Sequence, residues 1–285
     1  MNVLIVFVLC VLATTKVTLQ GRLAKRHLET RSDATVFNAA VFLSAAILFS
    51  PGLPSASLAT WGCAAVFAVF TVLFQLTYTS ALALGNVSLT VMIVNLGMLF
   101  PVLTSVWVYR EPLTPVRLCG IALTLFSFVL CTEVRGERRL SRGWLFLTLV
   151  ATVANGALGV TQKVFGASPN ADERAAFVAS AYTVAFLVML ALCFVLGKRG
   201  GTIVAHKKKE TYLFAIAVGI ILALFQWLNT YAISTMDGAF LFPLYSGGSI
   251  LLSTLVGVTL FRDRLTARQR VSLFVGIVAV ILMNF

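Results

Sequence analysis

The chain has 285 residues, of which 59% are hydrophobic and only 11% are charged, and its formal net charge is +12. A soluble globular protein carries about 25% charged residues, so this chain lacks the polar surface that water requires, and most of it is expected to lie in lipid. In chain order, apolar stretches of about 20 residues, the length that crosses a membrane as a helix, predict ten spans. They cover residues 2–20, 34–50, 58–84, 87–108, 115–133, 143–165, 174–196, 211–235, 238–260 and 267–285. The predicted fold class is all-α integral membrane, without room for a soluble domain.

The cysteine and histidine residues give no sign of a metal site or a cofactor. The five cysteines are scattered through apolar stretches without a C-x-x-C pair, which favours reduced packing residues over disulfides or metal ligands. The two histidines lie in charged loops, and the chain has no Walker A sequence, so ATP is not expected to drive it directly. The basic residues are divided among loops, so a nucleic-acid partner is not predicted.

Lysine and arginine indicate which loops face the cytoplasm. The loops after the first, fifth, seventh and ninth predicted spans carry 17 of the 22 basic residues. Because cytoplasmic loops are enriched in basic residues, these four loops are expected inside the cell and both termini outside. The first stretch lacks the basic start and cleavage site of a secretory signal, so we interpret it as the first span.

The two halves of the chain repeat three short sequences in the same order. The pairs are 14–17 with 161–164, 73–75 with 224–226, and 109–114 with 261–266. They predict a first repeat at 1–134, a basic cytoplasmic linker at 135–142 and a second repeat at 143–285. Five spans per repeat is an odd number, so the second repeat enters the membrane in the opposite orientation, as in many secondary transporters.

This arrangement resembles the drug/metabolite transporter superfamily, in particular its ten-span members with two tandem five-helix (EamA-like) repeats. The resemblance is carried by the aromatic-Arg-acid-x-Leu-Thr turns at 109–114 and 261–266, by Pro101, and by the glycine in the span after each turn. The second half departs from the family pattern, since Pro243 lies about twenty residues before Asp263 rather than ten. The resemblance implies a transporter with a central cavity lined mainly by the first, third and fourth helices of each repeat.

Lys16 and Lys163 occupy matching positions in the first and sixth predicted spans. A charge inside a span costs about 3 kcal/mol, so it is a candidate for function by default. The alternative is that each side chain extends to the nearer interface, because each lies a few residues from the end of its span. The match between the two halves favours a substrate-binding role for both.

Polar residues one helical turn apart accompany each lysine in the next matched spans. Gln75 and Tyr78 lie in the third span, and Gln226 and Asn229 lie in the eighth, beside Trp227. We expect a Lys–Gln–polar cluster near each mouth of a cavity, although such side chains also hydrogen-bond between packed helices. The fourth and ninth spans contain further candidate ligands. They also contain proline and glycine residues that would loosen a helix, either as hinges or as ordinary kinks. The ligands are Asn95 and Tyr245, and the hinge candidates are Pro101, Pro243, Gly247 and Gly248.

The turn at 109–114 is interpreted as structural. Thr114 is expected to cap the following helix, with Pro115 at its first position, and Glu111 is expected to pair with the neighbouring Arg110. No Asp or Glu lies in the middle of a span. The proton-coupled exporters of the resembled superfamily use a carboxylate in the first helix, so its absence here argues against a cation exporter and favours an anionic substrate.

The leading hypothesis is a secondary transporter that moves a small organic metabolite, anionic or zwitterionic, by alternating access. A multidrug exporter of lipophilic compounds is the alternative within the same class, favoured by the 22 phenylalanines. A membrane-embedded enzyme acting on lipid-linked substrates would need a nucleophile, an acid/base pair or a metal cluster, and the sequence shows none. A receptor or assembly factor would not need an inverted repeat. The expected partners are the small-molecule substrate and the lipid bilayer, with a monomer as the default state.

Overall fold

The structure, a computed structural model, describes residues 2–27, 31–84, 90, 93–131, 141–198, 209–261 and 267–282. These residues form ten α-helices and two short 3-10 helices, and they contain no strand. The α-helices are α1 (Asn2–His27), α2 (Arg31–Phe49), α3 (Leu58–Leu84), α4 (Leu99–Trp107), α5 (Pro115–Cys131), α6 (Arg142–Gly166), α7 (Arg174–Lys198), α8 (Lys209–Thr235), α9 (Gly238–Phe261) and α10 (Ala267–Leu282). The 3-10 helices are Ser50–Ser55 and Leu96–Met98. The predicted all-α fold is confirmed.

Five helices of the described part of the chain are long and apolar enough to cross a membrane. They contain the segments Thr35–Ser55, Leu58–Ala81, Arg142–Gly166, Arg174–Val195 and Tyr212–Thr235. Shorter apolar segments occur in α1, α4, α5 and α10. Large apolar side chains point outward, such as Trp107, which is 75% exposed, and Phe274, which is 69% exposed. This distribution is that of a multi-pass membrane protein, since lipid is the solvent that such side chains prefer.

The helices pack mainly across the two halves of the chain. Each of α2 and α5 lies against its counterpart five helices later, α7 and α10. The contact of α3 with α6 is matched by that of α8 with α1, and the contact of α4 with α6 is matched by that of α9 with α1. A pseudo-twofold relation between two five-helix repeats predicts this pairing. The repeat boundaries themselves, and the sides of the membrane on which the loops lie, stay predictions.

Capping side chains mark the start of two helices, one of which was predicted from the sequence. The Thr114 hydroxyl accepts a hydrogen bond from the Arg117 amide at 3.2 Å, and α5 begins at Pro115, so the predicted cap is confirmed. At the start of α6, the Ser141 hydroxyl accepts from the Trp144 amide at 3.1 Å. Capping side chains satisfy amides that have no partner in the first turn.

The fourth predicted span differs from a continuous α-helix. A 3-10 turn at Leu96–Met98 precedes α4, and at this turn the backbone lies against α6. A Cβ atom at Gly97 would lie 2.6 Å from the Thr152 carbonyl oxygen, so only glycine permits this approach. The close packing places the fourth span beside α6, where the two contribute to the same cavity.

Candidate functional site

A cavity of about 220 Å³ lies where helices from both halves meet. Side chains from α1, α3, α6, α8 and α9, together with residues 94–101, form most of its wall, and α2 and α7 contribute one ring each, from Phe42 and Tyr182. Aromatic rings and polar side chains from both halves therefore line one cavity. The lining residues that the structure describes include no aspartate and no glutamate.

Most of the sequence-predicted site residues meet at this cavity. Seven of the nine candidate ligands line it, and so does the hinge candidate Pro101. The seven are Lys16, Gln75, Tyr78, Asn95, Gln226, Asn229 and Tyr245. Residues up to 229 positions apart in the chain therefore contribute to one site, and their role as substrate ligands stays a prediction.

Lys16 is the cationic residue of the cavity wall. It lies on α1 and is partly exposed, and within the described part of the chain it has no ion pair or hydrogen bond. The helix that carries it packs against α8 and α9. Across the cavity lining, Tyr78 on α3 stacks on Phe74 with ring centroids 5.1 Å apart. An uncompensated ammonium group in a low-dielectric wall attracts an anionic group strongly.

Gln75 is held in place by a neighbour on α2. Its Nε2 donates a hydrogen bond to Asn38 Oδ1 at 3.0 Å, and Asn38 is itself buried. This bond uses the acceptor of Asn38, and the Asn38 amide nitrogen has no partner among the described residues. Gln75 therefore reaches the cavity from a preorganised position.

A cluster of three amide side chains forms another part of the wall. Gln162 Nε2 donates to Gln226 Oε1 at 2.9 Å and to the Thr230 hydroxyl at 3.2 Å. Asn229 Nδ2 donates to Gln162 Oε1 at 2.9 Å. The Thr230 hydroxyl donates its own hydrogen to the backbone carbonyl oxygen of Gln226 at 2.8 Å. It must therefore accept a hydrogen bond from Gln162, and this requirement identifies the Gln162 atom that faces Thr230 as the amide nitrogen.

The amide cluster leaves hydrogen-bonding capacity unused inside the cavity. Asn229 is 3% exposed, and its Oδ1 has no partner among the described residues. The Thr71 hydroxyl on α3 also has no partner among the described residues, and Thr71 lines the cavity. Buried polar groups of native proteins are normally satisfied, and each exception calls for an explanation.

Lys163 differs from its predicted place. It is 6% exposed and is absent from the cavity wall, and its ammonium group forms a buried ion pair with Glu111 Oε1. Glu111 Oε2 in turn accepts a hydrogen bond from the Ala239 amide at 3.0 Å, and the Tyr109 ring centroid lies 5.3 Å from Lys163 Nζ. The expected pairing of Glu111 with Arg110 is therefore wrong, because the carboxylate turns to α6 and to the first turn of α9 instead.

The remaining predicted residues lie at the edge of the site or outside it. Trp227 is 36% exposed and packs against the Phe49 and Tyr231 rings rather than lining the cavity. Pro243 and Gly247 are buried within α9. A Cβ at Gly248 would lie 2.7 Å from the Cys10 sulfur, so this glycine serves the packing of α1 on α9. Whether any of them is a hinge stays a prediction, and Asp263, the match of Glu111 in the second half, lies outside the described residues.

Sequence reasoning did not identify Gln162 as a cavity residue. It is adjacent to Lys163, and neighbours on a helix point about 100° apart, so one can line the cavity while the other meets Glu111. The charge of Lys163 predicts that it is the substrate ligand of the two, whereas in the structure its neutral neighbour Gln162 lines the cavity. The polar sequence Thr161-Gln162 at intramembrane depth was the available signal.

Glu173, in the loop between α6 and α7, connects the second half to the first. Its carboxylate accepts hydrogen bonds from the Ser57 amide at 2.8 Å, the Thr60 hydroxyl at 2.6 Å and the Asn170 amide at 3.0 Å. These bonds, that of the Ser57 amide above all, lower the pKa of Glu173 to about 2. The carboxylate therefore acts as a cap for the first turn of α3.

Comparison with known proteins was made by sequence and by fold. Residues 3–132 match the EamA-like transporter family. The resemblance to EamA-like transporters is confirmed for the first half of the chain. A solved crystal structure of a protein with 17% sequence identity aligns with 99% of this chain and 95% of its own, with a TM-score of 0.75. No curated protein matches the sequence.

Together these findings give a coarse function. The family is one of membrane transporters, and the structural match shows that the whole chain, including the half that the family does not match, has the fold of one known protein. The described residues contain no group of three or more potential metal ligands. The chain, whose residues 3–132 match the EamA-like transporter family, is accordingly a multi-pass membrane protein with a cavity of a size for a small molecule.

Proposed function

We propose that this EamA-like protein is a secondary transporter that carries a small organic metabolite across the membrane by alternating access. The observation that carries the proposal is the cavity itself. It lies between the two halves of the chain, and both halves contribute polar side chains to it. Rocking of two repeats around a site at their interface is the general mechanism of inverted-repeat transporters.

The wall of the cavity supports a metabolite with an anionic group. Lys16 supplies the charge, and the amide cluster on α6 and α8 supplies neutral hydrogen-bonding groups. No covalent step is needed, because binding and release at the two faces of the membrane are sufficient. The orientation with basic loops in the cytoplasm is part of the same proposal.

A multidrug exporter for lipophilic compounds receives less support from the cavity. Sites for drug-sized ligands have volumes of roughly 300–1,000 Å³, whereas this one has about 220 Å³. An unpaired lysine would also repel lipophilic cations. The aromatic lining, which includes Phe74 and Phe242, fits the apolar part of a metabolite equally well.

The test is counterflow in proteoliposomes, which requires alternating access but no driving ion. Vesicles preloaded with one unlabelled compound from a panel of organic anions, amino acids, nucleosides, sugars and lipophilic cations are diluted into the same labelled compound. We expect transient accumulation for at least one class of metabolite, and its loss in Lys16→Ala. The matched control is Arg142→Ala, which removes an exposed cation at the start of α6.

Two results would count against the proposal. Accumulation that is unchanged by Lys16→Ala would remove the cavity lysine from the transport site. The second result is that no compound of the panel accumulates more in vesicles with the protein than in protein-free vesicles. If the purified protein still unfolds cooperatively, and is therefore folded, this result would contradict transport of a small metabolite.

A further inference from the structure

We infer that the transported compound is a small organic monoanion that also carries a neutral hydrogen-bond donor, such as a hydroxyl group. The inference rests on the proposed function and narrows its substrate class. It follows from the charges and the unpaired polar atoms of the cavity wall, taken together with the volume of the cavity.

The first step is the charge of the cavity. Lys16 contributes one positive charge, and no carboxylate among the described lining residues balances it. The other intramembrane lysine, Lys163, is already neutralised by Glu111. Burial of an unpaired charge is costly, so an occupant with one negative charge leaves the site neutral. A dianion would leave one negative charge unpaired, and a zwitterion would place an ammonium group against a wall without a carboxylate.

The second step is the pattern of unpaired polar atoms. Because Thr230 determines the direction of the amide cluster, Asn229 donates its amide to Gln162 and retains Oδ1 as an unpartnered acceptor. An acceptor requires a donor, and a carboxylate has none at neutral pH. The Thr71 hydroxyl on α3, which also lines the cavity and lacks a partner among the described residues, can donate or accept a further hydrogen bond. A hydroxyl group of the occupant satisfies this acceptor without adding a charge.

The third step is size. A volume of about 220 Å³ is below the usual range for drug-sized ligands, so the occupant is a compact molecule. Rings such as Phe42 and Phe225 also line the cavity and suit the short apolar carbon skeleton of such a compound. The compound expected is thus a short hydroxy acid or a monocarboxylate of equivalent hydrogen bonding.

The experiment uses two matched triples of compounds at pH 7. Lactate, propionate and alanine share a carbon skeleton and differ in one group, and 3-hydroxybutyrate, butyrate and 3-aminobutyrate form a longer set. Malate serves as a dianion and tetraphenylphosphonium as a lipophilic cation. Binding to the detergent-purified full-length protein is measured as the concentration dependence of its unfolding temperature, because a ligand of the native state raises that temperature.

In at least one triple, we expect the hydroxy acid to bind about tenfold more tightly than the plain acid, since one satisfied buried acceptor contributes about one hydrogen bond. The amino acid and the dianion should bind more weakly than the hydroxy acid. Lys16→Met should abolish the effect of every anion. Asn229→Leu should reduce the ratio between hydroxy acid and plain acid to near one while the plain acid still binds.

Thr71→Val offers a second test if Asn229→Leu does not fold, because it removes an unpartnered hydroxyl from a side chain of nearly the same shape. It should lower the ratio between hydroxy acid and plain acid severalfold. A ratio that stays at tenfold in the variant would overturn the assignment of the donor to this wall.

Other outcomes separate this inference from the proposed function. Stronger stabilisation and counterflow by alanine, malate or the cation would leave a transporter in place and overturn the monoanion class. Failure of both hydroxy acids to stabilise the protein would also overturn it, even if counterflow finds another substrate. Absence of counterflow with tight, Lys16-dependent binding of a hydroxy acid would support the site chemistry and contradict transport.

Discussion

The buried ion pair between Lys163 and Glu111 gives a quantitative test of the structure. The two side chains are 7% and 11% exposed, so neither charge has much access to water or to lipid headgroups. Removal of one partner of a buried pair costs about 3–5 kcal/mol, because it leaves the other charge buried and uncompensated. The change Glu111→Gln keeps the size of the side chain but only one oxygen, so it removes the charge and leaves either the Ala239 amide or Lys163 without its acceptor.

We expect Glu111→Gln to lower the free energy of unfolding by about 3–5 kcal/mol, because it leaves the charge of Lys163 buried and uncompensated. The double variant Glu111→Gln/Lys163→Met should recover most of the loss, since replacement of a whole buried pair by neutral side chains is often without net cost. The measurement is equilibrium unfolding of the detergent-purified protein in a denaturing detergent.

The control for this prediction is Asp172→Asn. Asp172 lies 3.7 Å from Arg174 and is 97% exposed, and exposed pairs contribute about 0–1 kcal/mol. If Glu111→Gln cost no more than Asp172→Asn, or if the double variant were less stable than either single variant, the buried pair would not have the role that its geometry indicates.

Three further predictions concern the loop cap, the packing of the fourth span and the amide cluster. The folded-state pKa of Glu173, about 2, lies below the value of about 4.3 for an unfolded glutamate. Its contribution is therefore present above pH 4.3 and is lost as the pH falls toward 2, so acid titration should destabilise wild type more than Glu173→Gln over that interval. Gly97→Ala should cost about 1–3 kcal/mol by overpacking, whereas Gly62→Ala, with open space around it, should be neutral or stabilising in the same unfolding assay. Gln162→Leu and Asn229→Leu should be strongly non-additive in a double-mutant cycle, because the two amides share one hydrogen bond.

The fold was predictable because lipid imposes a simple pattern. Helices must satisfy their own backbone in a membrane, so apolar stretches of sufficient length predict spans with little competition from other structures. The third span was predicted at 58–84 and is observed as Leu58–Leu84. The fourth span was less predictable, since its 3-10 turn depends on the contact of Gly97 with α6, and no pattern within one segment reports a tertiary contact.

The candidate site was predictable to the extent that polar residues are rare in spans. Gln75, Gln226 and Asn229 were singled out on that basis, and all three line the cavity. A single sequence does not show which of two adjacent polar side chains in a helix faces the cavity. Gln162 lines the cavity and Lys163 does not, because Glu111, 52 positions away in the chain, lies beside the lysine and pairs with it. The partner of a buried charge depends on tertiary packing, which a single sequence does not show.

The two lysines therefore have different consequences for a substrate although they occupy matching positions in the two halves. The charge of Lys163 is neutralised by Glu111, and its ammonium group also lies over the Tyr109 ring. It therefore attracts an anion in the cavity only weakly. Lys16 has no such partner among the described residues, and an anion that reaches it gains the full interaction in a poorly screened site. One part of the cavity wall is thus charged and the amide cluster is neutral. Under the proposed function, this wall favours a substrate with a single negative charge, because a second negative charge would face amides that cannot neutralise it.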